Sequence, residues 1–113
     1  MTKETAASTA QMRKGVLELC ILRVLEHGEA YTSDIVAALQ AVDLLVVEGT
    51  VYPLLTRMKN AETLTYRWAE SPSGPPRKYY SMTPKGEKVL NDLEGAWDQF
   101  VDSVNSLSNA TKI

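Results

Sequence analysis

The feature that most constrains this fold is a proline- and glycine-rich segment between two stretches of alternating residues. Residues 71–76 read Ser-Pro-Ser-Gly-Pro-Pro, a composition that excludes a helix or the middle of a strand and predicts a turn. Apolar and polar residues alternate through residues 64–69 and again through residues 77–82, which is the period of a half-buried β-strand. The sequence therefore predicts a β-hairpin with a rigid tip.

Three helices are predicted before the hairpin. Residues 11–26 carry apolar side chains on more than one stripe, so the first helix should be buried on two sides. A second helix is expected to start among the N-cap candidates at residues 31–34 and to run to about Ala41. A third should begin near residues 48–50, because Pro53 is tolerated only in the first turn of a helix.

The second and third predicted helices are joined by residues 42–47, which are apolar but too few and too β-branched for another full helix. We predict that they form the buried connector of a helix-turn-helix. Followed by the hairpin, this unit is a winged helix-turn-helix with a two-stranded wing, in a mainly α (α+β) chain. The third helix then occupies the position of the DNA recognition helix.

The end of the sequence predicts a helix that needs a partner. Thr83 is an N-cap candidate, and Pro84 after it suits the first helical position. Apolar residues then recur at spacings of 3, 4, 3, 4 and 3, at Leu90, Leu93, Trp97, Phe100, Val104 and Leu107. This narrow heptad stripe favours a homodimer in which the last helix packs with the first helix. The alternative is that the last helix folds back on its own domain.

Composition excludes several classes of function. The chain has one cysteine and one histidine, Cys20 and His27, so we expect no internal disulfide and no zinc site. No phosphate-binding glycine loop or nucleophile–base spacing is present, so we expect neither an enzyme nor a bound cofactor. Without a signal peptide or an apolar run of the ~20 residues that a membrane span needs, the chain should be cytoplasmic and make no membrane contact.

The distribution of charge indicates a nucleic-acid partner more clearly than the net charge of −2. Residues 57–88 contain seven cations against three carboxylates, whereas residues 92–113 contain four carboxylates against one lysine. A basic middle of the chain suits a local phosphate-facing patch.

The predicted elements divide the chain into a flexible N-terminal arm (1–10), a DNA-binding domain (11–82), a C-terminal dimerisation helix (83–108) and a tail (109–113).

Two motifs connect the sequence to a known family. The first is residues 46–55, VVEGTVYPLL, and the second is residues 74–80, GPPRKYY, followed by Thr83-x-x-Gly86. In this order the chain resembles, from about residue 11 to residue 107, the PadR family of bacterial transcriptional regulators. Its single short C-terminal helix is similar to the small subgroup that includes multidrug-sensing repressors.

The resemblance implies a winged helix-turn-helix, dimerisation through the C-terminal and first helices, and repression of a nearby promoter. It also implies DNA contacts at the start of the second helix, where Tyr31, Thr32 and Ser33 lie. Thr32-Ser33 departs from the Tyr-Gly-Tyr-like run that many relatives have. A second departure is residues 61–63, Ala-Glu-Thr, where relatives usually have a glycine-bearing turn after the recognition helix.

Candidate DNA contacts lie on the third helix, on the wing and at the start of the first helix. Near the start of the recognition helix, Thr50 and Tyr52 suit base contacts, although Tyr52 could instead pack on the second helix. One turn later, Thr56 and Arg57 suit phosphates, Arg57 could read guanine, and the alternative for Arg57 is a solvated helix end. The remaining candidates for phosphate or minor-groove contact are Arg77, Lys78 and Lys14. As strand neighbours, Arg77 and Lys78 should face opposite ways, so that one of them serves structure.

A second candidate site surrounds Trp97. The resemblance implies that a tryptophan at this place stacks flat aromatic ligands between subunits, and the neighbours we expect are Met12, Leu93 and Phe100. The alternative is that Trp97 is a dimer-interface aromatic without a ligand. Together these features predict a homodimeric, sequence-specific DNA-binding repressor, with a planar aromatic molecule as its candidate effector. The competing interpretation is a winged helix used only for protein–protein assembly.

Overall fold

A computed structural model describes residues 1–44 and 46–109, in which four helices surround a small antiparallel sheet. The elements are α1 (Lys3–Leu25), β1 (Ala30–Tyr31), α2 (Thr32–Ala41), α3 (Glu48–Asn60), β2 (Leu64–Ser71), β3 (Gly74–Met82) and α4 (Pro84–Ser108). The predicted winged helix-turn-helix is confirmed: α2 and α3 form the helix-turn-helix, and β2 and β3 form the two-stranded wing.

The first helix begins earlier than the sequence analysis expected. Residues 3–10 belong to α1, so the predicted flexible arm is instead the first two turns of the helix. The cause is local, because the Thr2 hydroxyl accepts a hydrogen bond from the Thr5 N–H at 3.2 Å and the segment is rich in alanine. At the other end of the chain, Asn109 caps α4, and the rest of the predicted tail, residues 110–113, lies outside the described residues.

The sheet has one more strand than the hairpin alone. β1 pairs with β3, so that the strand order is β1-β3-β2, with Ala30 opposite Tyr80 and Tyr31 opposite Tyr79. A two-residue strand gives almost no periodic signal, which explains why the sequence analysis missed β1. Its consequence is functional, because β1 ties the wing to the residue that precedes α2.

The turn of the hairpin is shorter than predicted. Only Pro72 and Ser73 form it, whereas the two prolines at 75 and 76 belong to β3. The register shifts between Ala69 and Ser71, opposite the prolines. At such an irregularity a proline leaves no ladder donor missing, so the prolines are compatible with the strand and stiffen the wing tip.

Among the described residues of the connector between α2 and α3, Val46 is buried and Leu44 is partly buried. Val46 lies in the core, but Val42 and Val47 are exposed, so the predicted fully buried connector is wrong for these two residues. Leu45, in the middle of this segment, lies outside the described residues. Gln40 stabilises the turn by donating a 2.9 Å hydrogen bond from its amide to the Val46 carbonyl oxygen.

One hydrophobic core lies under the sheet and between the first three helices. Its fully buried members come from α1, α2, α3 and the wing strand β2, and include Ile21, Leu22, Ile35, Leu39, Val51, Leu55, Met58 and Leu64. The apolar residues Val51, Leu54, Leu55 and Met58 recur at helical spacing in α3; Val51, Leu55 and Met58 are buried, and Leu54 is partly buried against the core. This packing fixes which face of α3 points to solvent, and therefore which side chains it can present.

The start of α4 is fixed to the body of the domain. Thr83 accepts a 2.9 Å hydrogen bond from the Gly86 N–H, and its own hydroxyl lies 3.1 Å from the Thr63 carbonyl oxygen. A Cβ at Gly86 would overlap that same carbonyl oxygen, so only glycine allows the approach. Before it, Glu62 adopts a left-handed φ of 65°, which is the conformation that a glycine would supply in this turn.

Beyond its first turns α4 leaves the body of the domain and runs beside α1. The two helices are linked by an ion pair between Arg23 Nε and Glu94 Oε2 at 3.3 Å. Leu90 is buried, but the stripe becomes progressively exposed along the helix, and Phe100, Val104 and Leu107 are 65%, 63% and 65% exposed. Within the described residues, no helix is long and apolar enough to cross a membrane.

Candidate nucleic-acid interface

A cleft of about 420 Å³ lies between the start of α3, the start of α2 and the wing. Six of the ten predicted DNA contacts line it, namely Tyr31, Thr32, Ser33, Tyr52, Arg77 and Lys78. The other four predicted contacts, Lys14, Thr50, Thr56 and Arg57, do not. The cleft thus brings together residues from three elements that are separated in sequence by up to 47 positions, from Tyr31 to Lys78.

The start of α3 gives the cleft its helical wall. Tyr52 is 50% exposed, so it is neither fully solvated nor packed away on α2. Glu48, in the first turn of α3, also lines the cleft, although the sequence analysis did not select it. A carboxylate at this position is able to accept a hydrogen bond from the exocyclic amine of cytosine.

The wing presents its two cations on opposite faces, as predicted. The Arg77 guanidinium carbon lies 4.6 Å from the centre of the Tyr31 ring, on the face of β1. The Lys78 Nζ lies 4.6 Å from the Tyr66 ring centre and 5.4 Å from that of Trp68, on the other face. Stacking on aromatic rings restricts both side chains while leaving their charges available to an anion.

Trp68 is a candidate contact that the sequence analysis missed. It was interpreted as one residue of the apolar face of a half-buried strand, but its side chain is 61% exposed and lines the cleft beside Lys78. The exposure arises because β2 extends beyond the body of the domain, where nothing in the described part of the chain covers its outer end. Alternation of apolar and polar residues identifies the apolar face of a strand. It does not show how much of that face is covered by the rest of the domain.

The back of the wing is stabilised by a row of cation and aromatic side chains. The Tyr31 and Tyr79 rings meet edge to face with centres 5.3 Å apart, and the Arg67 guanidinium carbon lies 5.1 Å from the Tyr79 ring centre. Arg67 also forms a bidentate pair with Glu29, whose carboxylate accepts from Nε at 2.9 Å and from the second guanidinium nitrogen. These hydrogen bonds from Arg67 lower the pKa of Glu29. The row links the wing to Glu29 and Tyr31, which precede α2.

Two predicted contacts are less available than the sequence suggested. Thr32 is only 7% exposed, because its side chain lies within the first turn of α2, so the expected direct contact from its hydroxyl is not supported by its burial. Thr50 is half-buried at the start of α3. Ser33 is exposed, and the Tyr31 N–H donates to the Asp34 carboxylate at 3.3 Å, which stabilises the start of α2.

The second half of α3 forms a smaller basic cleft with the inner face of the wing. Thr56 and Lys59 line it together with Tyr66 and Lys78. The Lys59 Nζ lies 5.7 Å from the centre of the same Tyr66 ring that Lys78 contacts. Two ammonium groups therefore converge on one exposed cleft, which is an arrangement suited to a phosphate.

Arg57 lies on the flank of α3 that faces α1. Its terminal nitrogen is 3.5 Å from a carboxylate oxygen of Glu18, and the guanidinium is 65% exposed. Lys14 is exposed one turn before Glu18 on α1. These two predicted contacts are thus on the α1 side of the recognition helix, away from the wing.

The second candidate site is also assembled by the fold. A cleft of about 290 Å³ between α1 and α4 is lined by all four predicted residues, Met12, Leu93, Trp97 and Phe100. Trp97 is 39% exposed, and Met12 and Phe100 are mostly exposed. Gly15 on α1 leaves room for the cleft, since no atom outside its own helix and its chain neighbours lies within 4 Å of the place of a Cβ there.

Comparisons with known proteins agree with this architecture. The profile of the Transcriptional regulator PadR-like family matches residues 21–92. A PadR-like transcription factor from Bacteroides fragilis is 51% identical, with a TM-score of 0.75, over 89% of this chain and 98% of its own. A PadR-like regulator from Bacillus cereus is 36% identical, with a TM-score of 0.75, over 88% of this chain and 98% of its own.

A more distant relative has been solved with DNA. The structure of Bacillus subtilis PadR in complex with operator DNA is 25% identical, with a TM-score of 0.64, over 69% of this chain and 45% of its own. No curated protein sequence matches the chain significantly. Members of the matched family are transcriptional regulators, which confirms that the chain is not an enzyme. By the extent of the profile match and by its identity to solved members, the chain belongs to the PadR-like family of transcriptional regulators.

Proposed function

We propose that this regulator binds double-stranded DNA in a sequence-specific manner and acts as a homodimeric repressor. The observation that carries the proposal is the cleft between α3 and the wing, which is lined by Tyr52, Arg77 and Lys78. Bacillus subtilis PadR, a relative with the same fold, has been solved on operator DNA. With DNA as the partner, we place the protein in the cytoplasm.

We assign different tasks to α3 and to the wing. α3 would enter the major groove, with Tyr52 and Glu48 near base edges and Thr56 and Lys59 near the phosphates. Lys78 and Arg77 on the stiff wing would contact the flanking backbone or minor groove. Each of these cations stacks on an aromatic ring, Arg77 on Tyr31 and Lys78 on Tyr66, so both side chains are restrained before DNA binds.

The proposed homodimer is supported by large apolar side chains of α4 that a single chain leaves exposed. Four large side chains of the α4 stripe, Trp97, Phe100, Val104 and Leu107, are exposed on one side of the helix. Burying a large apolar side chain is worth about 1.5–3 kcal/mol, so pairing two such stripes would outweigh the entropy lost on association. A two-fold dimer would present two recognition helices to half-sites about one or two helical turns apart.

An effector is the third part of the proposal. The α1–α4 cleft has apolar walls with two aromatic rings, Trp97 and Phe100, which suits a planar aromatic molecule. It opens toward the α4 stripe that the second subunit would cover, so a bound molecule would lie at the dimer interface. The Trp97 fluorescence in a Trp68→Phe variant would report on such binding.

The test of DNA binding is the dependence of affinity on salt. With about four cations per subunit at phosphates, the slope of log affinity against log salt for a dimer should be roughly −7. In Arg77→Ala/Lys78→Ala the slope should fall to about half, because up to four contacts are lost per dimer. Lys88→Ala, which removes an exposed cation of α4 outside the cleft, is the matched control.

Footprinting on the DNA upstream of the protein's own gene would locate the site. A protected near-palindrome agrees with a two-fold dimer. A slope near zero, or equal slopes in the double variant and the control, would reject DNA binding by this cleft and favour a winged helix that binds only proteins.

A further inference from the structure

Glu18 connects the α1–α4 cleft to the recognition helix α3. Glu18 is one of the residues that line the α1–α4 cleft, and one of its carboxylate oxygens lies 3.5 Å from the Arg57 guanidinium on the recognition helix. The side chain is 36% exposed, so it is neither buried nor fully solvated. Among the described residues that line this cleft, Glu18 is the one charged group.

A carboxylate at an otherwise apolar aromatic cleft changes which molecules the cleft prefers. Trp97 and Phe100 attract a positive charge through the negative faces of their rings, and Glu18 adds a full negative charge beside them. A neutral molecule of the same shape receives the apolar contacts but not the electrostatic attraction. The cleft should therefore prefer planar aromatic cations over neutral isosteres.

The same carboxylate is already engaged with Arg57. A cation bound in the cleft and the Arg57 guanidinium are two positive groups that compete for one anion. We infer that Glu18 is a shared counter-ion, through which a planar aromatic cation in the α1–α4 cleft releases Arg57 and thereby strengthens DNA binding. This inference rests on the proposed function, since it requires that the cleft takes a ligand and that the protein binds DNA.

The sign of the coupling follows from the charges. When Glu18 is neutralised by a bound cation, Arg57 is available to a phosphate, and one anion fewer repels the DNA backbone. Linkage requires the reverse effect as well, so DNA that draws Arg57 away should raise the affinity for the cation by the same factor. Because the Arg57–Glu18 pair is largely exposed, the factor should be roughly two- to fivefold per subunit.

The first experiment needs no ligand. Glu18→Gln removes the anion while keeping its size, and Glu26→Gln, at the end of α1 and outside the cleft, makes the same change in net charge. DNA affinity, measured by fluorescence anisotropy with the full chain, should rise roughly two- to fivefold per subunit in Glu18→Gln relative to Glu26→Gln. Equal affinities in these two variants would overturn the coupling.

The second experiment tests the cleft with two probes of the same shape. N-methylquinolinium is a planar aromatic cation, and methylnaphthalene is its neutral isostere. Titration calorimetry without DNA should show tighter binding of the cation to wild type, and this preference should disappear in Glu18→Gln. In Arg57→Gln the cation should bind more tightly than in wild type, because its competitor has been removed, while the neutral probe should bind equally.

The third measurement joins the two sites. N-methylquinolinium should raise the DNA affinity of wild type and leave that of Glu18→Gln unchanged, whereas methylnaphthalene should change neither. Equal binding of both probes to wild type would overturn the inference but leave the effector cleft intact. If wild type, like Trp97→Ala, shows no binding of N-methylquinolinium or of methylnaphthalene, the effector cleft is rejected together with the inference. A wild type that does not bind DNA would reject the proposed function itself.

Discussion

The helices α3 and α4 carry apolar stripes of similar spacing, but the fold treats them in opposite ways. In α3 the residues Val51, Leu55 and Met58 are completely buried against the domain's own core. In the second half of α4 the equivalent stripe is mostly solvent-exposed. The comparison teaches that an apolar stripe predicts a covered face without identifying the cover: for α3 it is the same chain, and for α4 we propose a second copy.

The largest expected effect comes from a charge placed on the α4 stripe. In a homodimer, Val104→Glu would bring two carboxylates into an apolar interface, which should dissociate the subunits. DNA affinity should then fall roughly a hundredfold or more, because bivalent binding is lost. Size-exclusion chromatography with light scattering and an anisotropy titration measure the two effects.

Asn105→Glu is the matched control, since it adds the same charge to the next residue, off the stripe. It should leave both the mass in solution and the DNA affinity close to wild type. A Val104→Glu protein that keeps the wild-type mass would break the comparison, because α4 would then be covered in some other way.

A second prediction compares one leucine from each stripe. Leu55→Ala should lower the free energy of unfolding by about 2–5 kcal/mol, since it opens a cavity in the core. Leu107→Ala should weaken the association of the two subunits. The decrease in the melting temperature of this variant relative to wild type should therefore depend on protein concentration. Thermal denaturation at two concentrations separates them: an effect of Leu107→Ala that is independent of concentration would contradict the proposed interface.

A third prediction uses two glycines of α4. Gly86→Ala should destabilise the protein by about 2 kcal/mol, because the new methyl group would overlap the Thr63 carbonyl oxygen. Gly95→Ala places a methyl group in open space in the middle of the helix and should stabilise it by up to about 1 kcal/mol. Urea denaturation measures both; similar effects would mean that the two parts of α4 are equally packed.

The sequence identified most of the fold because its signals were local. The start of α3 near residue 48, the Thr83 cap and the apolar spacing of α3 each depend on neighbouring residues, and each agrees with the structure. The prediction that Pro53 lies in the first turn is wrong, because Pro53 comes five residues after Glu48, inside the helix. The two-residue strand β1 was missed because its formation depends on pairing with β3, which lies about fifty residues away. The early start of α1 was missed because alanine-rich helix has no apolar period.

The sequence predicted the types of residue in the candidate sites better than it predicted the surroundings of each side chain. Arg57 was recognised as an outward cation, but its pairing with Glu18 depends on how α1 crosses α3, which spacing does not encode. Trp68 and Glu48 were passed over because a strand tryptophan and a helix-start carboxylate have ordinary structural explanations. Their place in the cleft depends on the position of the wing, whose Arg67 is paired with Glu29 before α2.

The smallest predicted effect concerns that pair and the pH. The Arg67 hydrogen bonds lower the pKa of Glu29 in the folded protein, so the pair stabilises the fold above the unfolded-state pKa of about 4.3. This contribution is lost as the pH falls through the lower, folded pKa. Wild type should therefore be slightly more stable than Glu29→Gln near neutral pH, and the two should converge in acid. Both groups are exposed, which keeps the difference small.

Urea midpoints of the two proteins across this pH range measure the convergence, with Glu70→Gln on β2, the strand that carries Arg67, as the charge-matched control. A difference that grows on acidification would contradict the assignment of sign. The Glu29–Arg67 pair also tests whether the wing and the α4 stripe are independent, because it contacts the wing and not α4. Glu29→Gln should consequently weaken DNA binding slightly by loosening the wing, while the mass of the protein in solution stays the same. A change in mass would show instead that the wing and the α4 stripe are coupled.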